Sequence, residues 1–165
     1  MELIYINSHN TLGGWTMKIR KTAVMLASLP LLLIGTQSAF ASDGVADSRS
    51  TAITLNPGSA ALQTISDGTD VDYFTWTNTT GQTIGSGSFF LYNPTGRNYD
   101  LEFTHILVQY GNFEAKTIAS DNGAGQIDSV QFSPIYPGDI LYFKIYGHNS
   151  IEYGPTPYTV AFTTP

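Results

Sequence analysis

The sequence contains no cysteine, and positively charged residues are scarce. Without cysteine there are no disulfide bonds or thiolate metal sites, so the fold must rely on its apolar core, helped at most by a metal ion. The part of the chain after residue 41 contains four of the seven Lys and Arg residues but twelve of the thirteen Asp and Glu residues. Its net charge is therefore −8 with histidine neutral. This balance argues against nucleic acid or anionic lipid as a partner, because both require clustered cations.

A long apolar run occurs only near the N-terminus. From Met17 the chain has a basic start, an apolar run to Ile34 and an Ala-Phe-Ala sequence ending at Ala41. This order is typical of a secretory signal peptide and predicts cleavage after Ala41, with translation starting at Met17. The run is shorter than the roughly 20 residues that span a bilayer, so we expect no membrane attachment after cleavage. Residues 1–41 are therefore interpreted as an N-terminal extension plus the signal peptide of a protein secreted to the periplasm or the medium; an uncleaved membrane anchor is the alternative.

Helical periodicity is lacking after Ser42. The segments 71–78 and 99–110 alternate between polar and apolar residues, as strands with one buried face do. Further segments rich in β-branched and aromatic residues follow, separated by Gly, Pro and Asn turns; they cover 126–134, 139–147 and 156–164. We predict an all-β fold, an antiparallel β-sandwich of jelly-roll type with about eight strands. Residues 51–165 would form this single domain, and residues 42–50 a flexible leader.

The segment Ser66 to Trp76, SDGTDVDYFTW, places three carboxylates within six residues. It lacks the spacing and the final glutamate of an EF-hand, but Ca²⁺ accepts six to eight oxygen ligands in flexible arrangements. One hypothesis is therefore a calcium site shared by this acidic turn and the leader, with the ligands Asp43, Asp47, Ser66, Asp67, Asp70 and Asp72. The alternative is an ordinary turn at Asp67-Gly68, with Asp72 a solvent-facing or cap-like strand residue.

Two other turns contain aspartate. Ser120 to Gly125 includes Asn-Gly, which predicts a tight hairpin, with a second cation site at Asp121 and Asp128 as the alternative. Asp139 follows a Pro-Gly pair and is predicted to be structural.

Aromatic residues supply the second functional prediction. Alternation in the segment 139–147 places the apolar residues 141, 143 and 145 on the core face and Tyr142 and Tyr146 on the other. Together with Tyr153, these tyrosines are predicted to form a flat ligand-binding platform for sugar rings or peptide polymers. The alternatives are that both faces are covered or that the tyrosines are scattered over the surface.

Motifs for catalysis are absent from the sequence. It has no G-x-S-x-G elbow, no H-E-x-x-H pair and no cysteine nucleophile. Asp100 and Glu102 share one strand face, where solvated carboxylates are common, and no second motif supports the acid–base pair of a glycosidase. We therefore predict no catalytic residues and no enzyme, and a small hydrolase is the least favoured alternative.

The order of these segments resembles the bacterial pre-peptidase C-terminal domain family, over about residues 51 to 164. The resemblance rests on Asp72-Tyr73-Phe74, Asp100-Leu101, Pro137-Gly138, the strand Ile140 to Gly147, and Tyr158-Thr159-Val160. It implies a small β-sandwich of the kind usually appended to secreted peptidases. More loosely, the chain is similar to the collagen-binding domains of clostridial collagenases, which bind calcium where the N-terminal segment meets the turn and bind their polymer through surface aromatics.

These expectations together predict a secreted, non-catalytic binding or accessory module. Its partner would be an extracellular polymer, protein or polysaccharide, and calcium would stabilise it. The alternative is a structural or stabilising partner of a separate exported enzyme.

Overall fold

The computed structural model describes Thr36–Gln37 and residues 45–165. The predicted cleavage site at Ala41 and the predicted ligand Asp43 lie outside the described residues. Strands dominate, and a single turn of 3-10 helix spans Val108–Tyr110. The strands are β1 Thr36–Gln37, β2 Ile53–Thr54, β3 Ser59–Gln63, β4 Val71–Thr77, β5 Gly87–Tyr92, β6 Tyr99–Leu107, β7 Phe113–Ile118, β8 Ile127–Phe132, β9 Ile140–Gly147 and β10 Tyr158–Thr163.

Two five-stranded sheets form the predicted sandwich. The first sheet has the order β1-β3-β10-β5-β8 and the second has the order β2-β4-β9-β6-β7. From β3 to β10 each strand crosses to the opposite sheet, except for the antiparallel pair β6 and β7. This is the connectivity of an eight-stranded jelly roll, so the predicted fold class is confirmed. The two-residue strands β1 and β2 add parallel pairing at its edges.

The hairpin predicted for Ser120 to Gly125 is wrong. This segment leads from β7 in the second sheet to β8 in the first, and β8 pairs with β5 instead. The turn in this segment is closed by the Gln126 N–H and the Gly123 carbonyl and serves a crossing between the sheets. Asp128 is buried, where its Oδ1 accepts the backbone N–H of Asn122 and its Oδ2 the side-chain amide of Asn93.

Alternation within β4 and β9 builds the centre of the core. Every second residue of each strand is buried, as the sequence pattern predicts. Phe143 of β9 stacks on Phe89 with a centroid separation of 3.9 Å. It also lies 5.4 Å from Phe103, 5.8 Å from Phe132 and 5.7 Å from Phe162. Phenylalanines from four other strands thus meet around one ring, and this burial holds the two sheets together without disulfides.

The described part of the leader, residues 45–50, runs beside the second sheet. The carbonyl of Ala46 accepts a 2.8 Å hydrogen bond from the backbone N–H of Tyr73 in β4. Ala46 is itself fully buried, in the left-handed conformation with φ 70°. The leader is therefore anchored next to the strand that carries Asp72. No helix within the described residues is long and apolar enough to cross a membrane.

Candidate functional site

The acidic turn before β4 is closed by its own carboxylates. Asp67 Oδ1 accepts the backbone N–H of Thr69 at 2.7 Å, the Thr69 hydroxyl at 2.8 Å and the backbone N–H of Asp70 at 3.1 Å. These bonds, chiefly those from Thr69, hold the pKa of Asp67 below its ordinary value. Asp70 Oδ2 accepts the backbone N–H of Ser66 at 2.5 Å. A Cβ on Gly68 would collide with the carbonyl oxygen of Ser150, so the turn packs closely on the loop after β9.

Asp72 lies in a different environment, only two residues further on. It is fully buried on the core face of β4, beside Phe74. The Tyr158 hydroxyl donates a 2.5 Å hydrogen bond to Asp72 Oδ2, whereas Oδ1 has no hydrogen-bond partner in the described part of the chain. Burial raises the pKa of Asp72 to about 7, and the nearby charges of Asp70 and Asp47 contribute to the increase. The alternative in which Asp72 faces solvent is therefore wrong.

This arrangement fits a hard cation in part. A buried carboxylate oxygen without a partner is costly, and a cation that draws in neighbouring carboxylates would satisfy it. Asp47 and Asp70 lie close enough to act on Asp72 electrostatically. However, no three acidic side chains of the predicted set bring their oxygens within 4.8 Å of one another in the described residues. Binding would require Asp47 and Asp70 to turn towards Asp72, while Asp67 already closes the turn.

Another polar cluster lies at the same end of the molecule. His148 Nδ1 is 3.1 Å from Asp100 Oδ1 and 3.3 Å from Asp121 Oδ2, and Asn98 donates its amide to Asp121. The hydrogen bond and charge of Asp100 raise the pKa of His148. The three residues come from segments far apart in the chain, so no sequence spacing identifies this cluster.

The outer face of the second sheet carries the predicted tyrosines. Tyr142 and Tyr146 are half-buried on it, opposite the buried residues of β9. Tyr73 of β4 joins them and pairs across the strands with Lys144. The same alternation that predicts Phe74 as core identifies Tyr73 as outward-facing. Tyr153 is 41% exposed in the loop after β9.

Two cations lie over these rings. The guanidinium of Arg49, from the leader, is 5.0 Å from the Tyr142 ring centroid. It also makes a two-pronged ion pair with Glu114, at 2.8 and 3.2 Å, and contacts the Thr104 hydroxyl at 3.4 Å. Lys144 Nζ is 4.8 Å from the centroid of the Tyr146 ring. The outer face thus combines aromatic rings with charged groups, and Arg49 of the leader lies on it.

A cleft of about 490 Å³ opens on the other side of β6 and β7, between the two sheets. His105 lines it and is 7% exposed. Its Nε2 lies 2.9 Å from Oδ2 of the fully buried Asp139, which also accepts the backbone N–H groups of Tyr136 and Val108. Asp139 therefore has the structural role predicted for it. Serines line the cleft as well, but among the described serines no hydroxyl is hydrogen-bonded to His105.

The fold defines the class of jelly-roll β-sandwiches, and a known structure shares this fold. The fold is similar to the crystal structure of the pre-peptidase C-terminal domain of a collagenase from Bacillus anthracis, with a TM-score of 0.50. The two are 15% identical in sequence, over 68% of this chain and 94% of that domain. The resemblance to this family's fold is therefore confirmed. No family model matches the sequence, and no curated protein matches it.

Proposed function

We propose that the chain is an exported, non-catalytic binding module that holds an extracellular polymer, protein or polysaccharide, on the outer face of its second sheet. The observation that carries this proposal is the group of half-buried tyrosines, Tyr73, Tyr142 and Tyr146, on the adjacent strands β4 and β9. Their rings offer apolar area together with hydroxyl groups, which suits both sugar rings and extended peptides. The occurrence of the fold as a domain of a collagenase supports an accessory role.

The test is a pull-down of the purified protein on insoluble collagen, chitin and cellulose. We expect the double variant Tyr142→Ala/Tyr146→Ala to lose retention on the polymer that the wild type binds, with an unchanged far-UV circular dichroism spectrum. The matched control is Tyr92→Ala/Tyr110→Ala, which removes two tyrosines that are 40% and 64% exposed elsewhere. Equal retention of the Tyr142/Tyr146 variant and the wild type would contradict the proposal.

A calcium ion stabilises this module at Asp72. The unpartnered Oδ1 of Asp72 supports this part of the proposal. Asp47 and Asp70 would be neighbouring ligands, and Asp43 from the leader would be a further one. Calcium at a hundredfold excess over its Kd should stabilise the fold by roughly 2.7 kcal/mol, which raises the melting temperature by several degrees relative to EDTA. Asp70→Asn should reduce the shift, and magnesium should substitute poorly because it demands tight octahedral geometry. Identical melting curves in calcium and EDTA would refute the site.

Export with cleavage after Ala41 completes the proposal. Cleavage removes β1, which pairs with Ala60 and Ala61 at the edge of the first sheet. The eight strands of the jelly roll remain. The intact mass of the exported protein should therefore correspond to a chain that begins at Ser42, and recovery of a chain that retains Met17 to Ala41 would contradict this part.

A further inference from the structure

We propose that the cleft between the two sheets is a second binding site, which takes one residue of a neutral saccharide. It lies on the inner side of β6 and β7, whereas the tyrosines occupy the outer face. The inference is independent of the polymer and calcium sites. Either of those can fail while this one holds.

The size and floor of the cleft suit a small ring. Its volume of about 490 Å³ lies within the range of roughly 300 to 1,000 Å³ that small-molecule sites occupy. Phe103 and Phe132 stack with a centroid separation of 4.6 Å and form its apolar floor. Gly87 is needed for this arrangement, because a Cβ there would lie 2.6 Å from the Phe132 ring. Gly87 thus leaves the space that the Phe132 ring occupies in the floor of the cleft.

The polar lining is neutral and rich in hydroxyl and amide groups. The cleft contains no Asp, Glu, Lys or Arg; it is lined by Ser86, Gly87, Ser88, Phe103, His105, Ala115, Thr117, Gln131, Phe132 and Ser133. A charged ligand would lose its hydration without gaining a counter-ion there. A neutral sugar instead offers hydroxyl groups that both donate and accept, and an apolar face of C–H groups for the floor.

Among the lining residues, His105 is held in position by a hydrogen bond to the buried Asp139. Asp139, already an acceptor of two backbone N–H groups, accepts the Nε2–H of the ring. The remaining ring nitrogen, Nδ1, has no hydrogen-bond partner in the part of the chain that the structure describes, and it is not one of the buried polar atoms there, so it is accessible from the cleft. In the neutral ring Nδ1 is an acceptor for a hydroxyl group. A sugar hydroxyl in the cleft can therefore donate a hydrogen bond to Nδ1.

The test is an NMR titration of the ¹⁵N-labelled protein with millimolar glucose, N-acetylglucosamine, galactose, mannose and xylose. We expect at least one of them to shift the amide signals of residues 86–88, 115–117 and 131–133 selectively. Ala115→Phe fills the cleft from β7 and should abolish these shifts. Thr117→Val removes one exposed hydroxyl at nearly constant volume and should weaken binding about fivefold to tenfold. Thr54→Val, the same exchange at the exposed threonine of β2, is the matched control and should bind like the wild type.

Three other outcomes would overturn the proposal of a saccharide site in the cleft. These are no shifts with any of the five sugars, shifts centred on Tyr142 and Tyr146, or cleft shifts that persist in both variants. If Ala115→Phe fails to fold, Thr117→Val decides alone. Cleft shifts caused by gelatin peptides and not by the sugars would assign the cleft to polypeptide and would also overturn the saccharide.

Discussion

The buried carboxyl of Asp72 predicts an unusual response to substitution: Asp72→Asn should stabilise the metal-free protein at alkaline pH. Asparagine copies the protonated carboxyl in shape and keeps an oxygen that can accept the Tyr158 hydroxyl. It removes the negative charge that burial and the neighbouring Asp70 and Asp47 disfavour. The cost of that charge can be calculated from the pKa.

In the unfolded chain the carboxyl has its ordinary pKa of 3.8, and in the folded protein its pKa is about 7. Between about pH 4 and pH 7 the unfolded state releases the proton while the folded state retains it. Stability is therefore fully present at about pH 4 and falls as the pH rises towards 7. At about 1.36 kcal/mol per pKa unit the loss approaches 4 kcal/mol above pH 7.

The assay is urea denaturation of wild type and Asp72→Asn in EDTA, from pH 4 to pH 8. We expect the two free energies of unfolding to agree near pH 4 and the variant to be more stable by up to about 4 kcal/mol at pH 8. Calcium at a hundredfold excess over its Kd should reduce this difference by roughly 2.7 kcal/mol, because only the wild type has the carboxylate ligand. Equal stability at pH 8 in EDTA, or a variant less stable at every pH, would refute the reasoning.

Three further predictions concern packing and surface charge. Phe143→Ala should destabilise the fold by about 4 kcal/mol in the same urea assay, because it opens a cavity among the stacked rings; a loss below 1 kcal/mol would contradict the central position of this ring. Arg49→Ala should cost only about 1 kcal/mol or less, since its pair with Glu114 is partly exposed, and a double-mutant cycle with Glu114→Gln should assign most of that loss to the pair. The His148 imidazole should titrate above pH 6.5 in an NMR experiment, because its contact with Asp100 raises its pKa. The pair therefore stabilises the fold at lower pH, and this contribution is lost as the pH rises through the pKa of His148. Asp100→Asn should lower the titration midpoint of His148, and an unchanged midpoint would contradict the contact.

The strands that the sequence predicts best are those with one fully buried face. β4 and β9 alternate strictly, and their burial follows the same period. β7 is almost wholly exposed at the edge of the second sheet, so no buried face imposes a pattern on Phe113–Ile118. β3 is built mainly from small residues, and β5 contains the uninterrupted run Phe89 to Tyr92. These three strands therefore have little periodic signal, although the total of about eight strands follows from the turn spacing.

The residue pairs of the candidate sites cannot be predicted from the local alternation of polar and apolar residues. Alternation places Asp72 on the same face as Phe74, but its partner Tyr158 is 86 residues away in the chain. His105 and Asp139 are separated by 34 residues and meet only because β6 and the turn before β9 converge. A single sequence contains no spacing rule for such pairs. Their chemistry becomes visible only when the topology is known.

The anchored leader has a thermodynamic consequence for the two proposed ligands of the module. Its residues 46–49 bond to β4 through Ala46, place Asp47 near Asp72, and set Arg49 on the Tyr142 ring. A cation that draws Asp47 inwards and a polymer that displaces Arg49 would therefore act on the same few residues of backbone. Coupling of this kind is reciprocal: whatever factor calcium applies to polymer affinity, the polymer must apply to calcium affinity. A module of this design would respond to its ionic surroundings without any change in the sandwich itself.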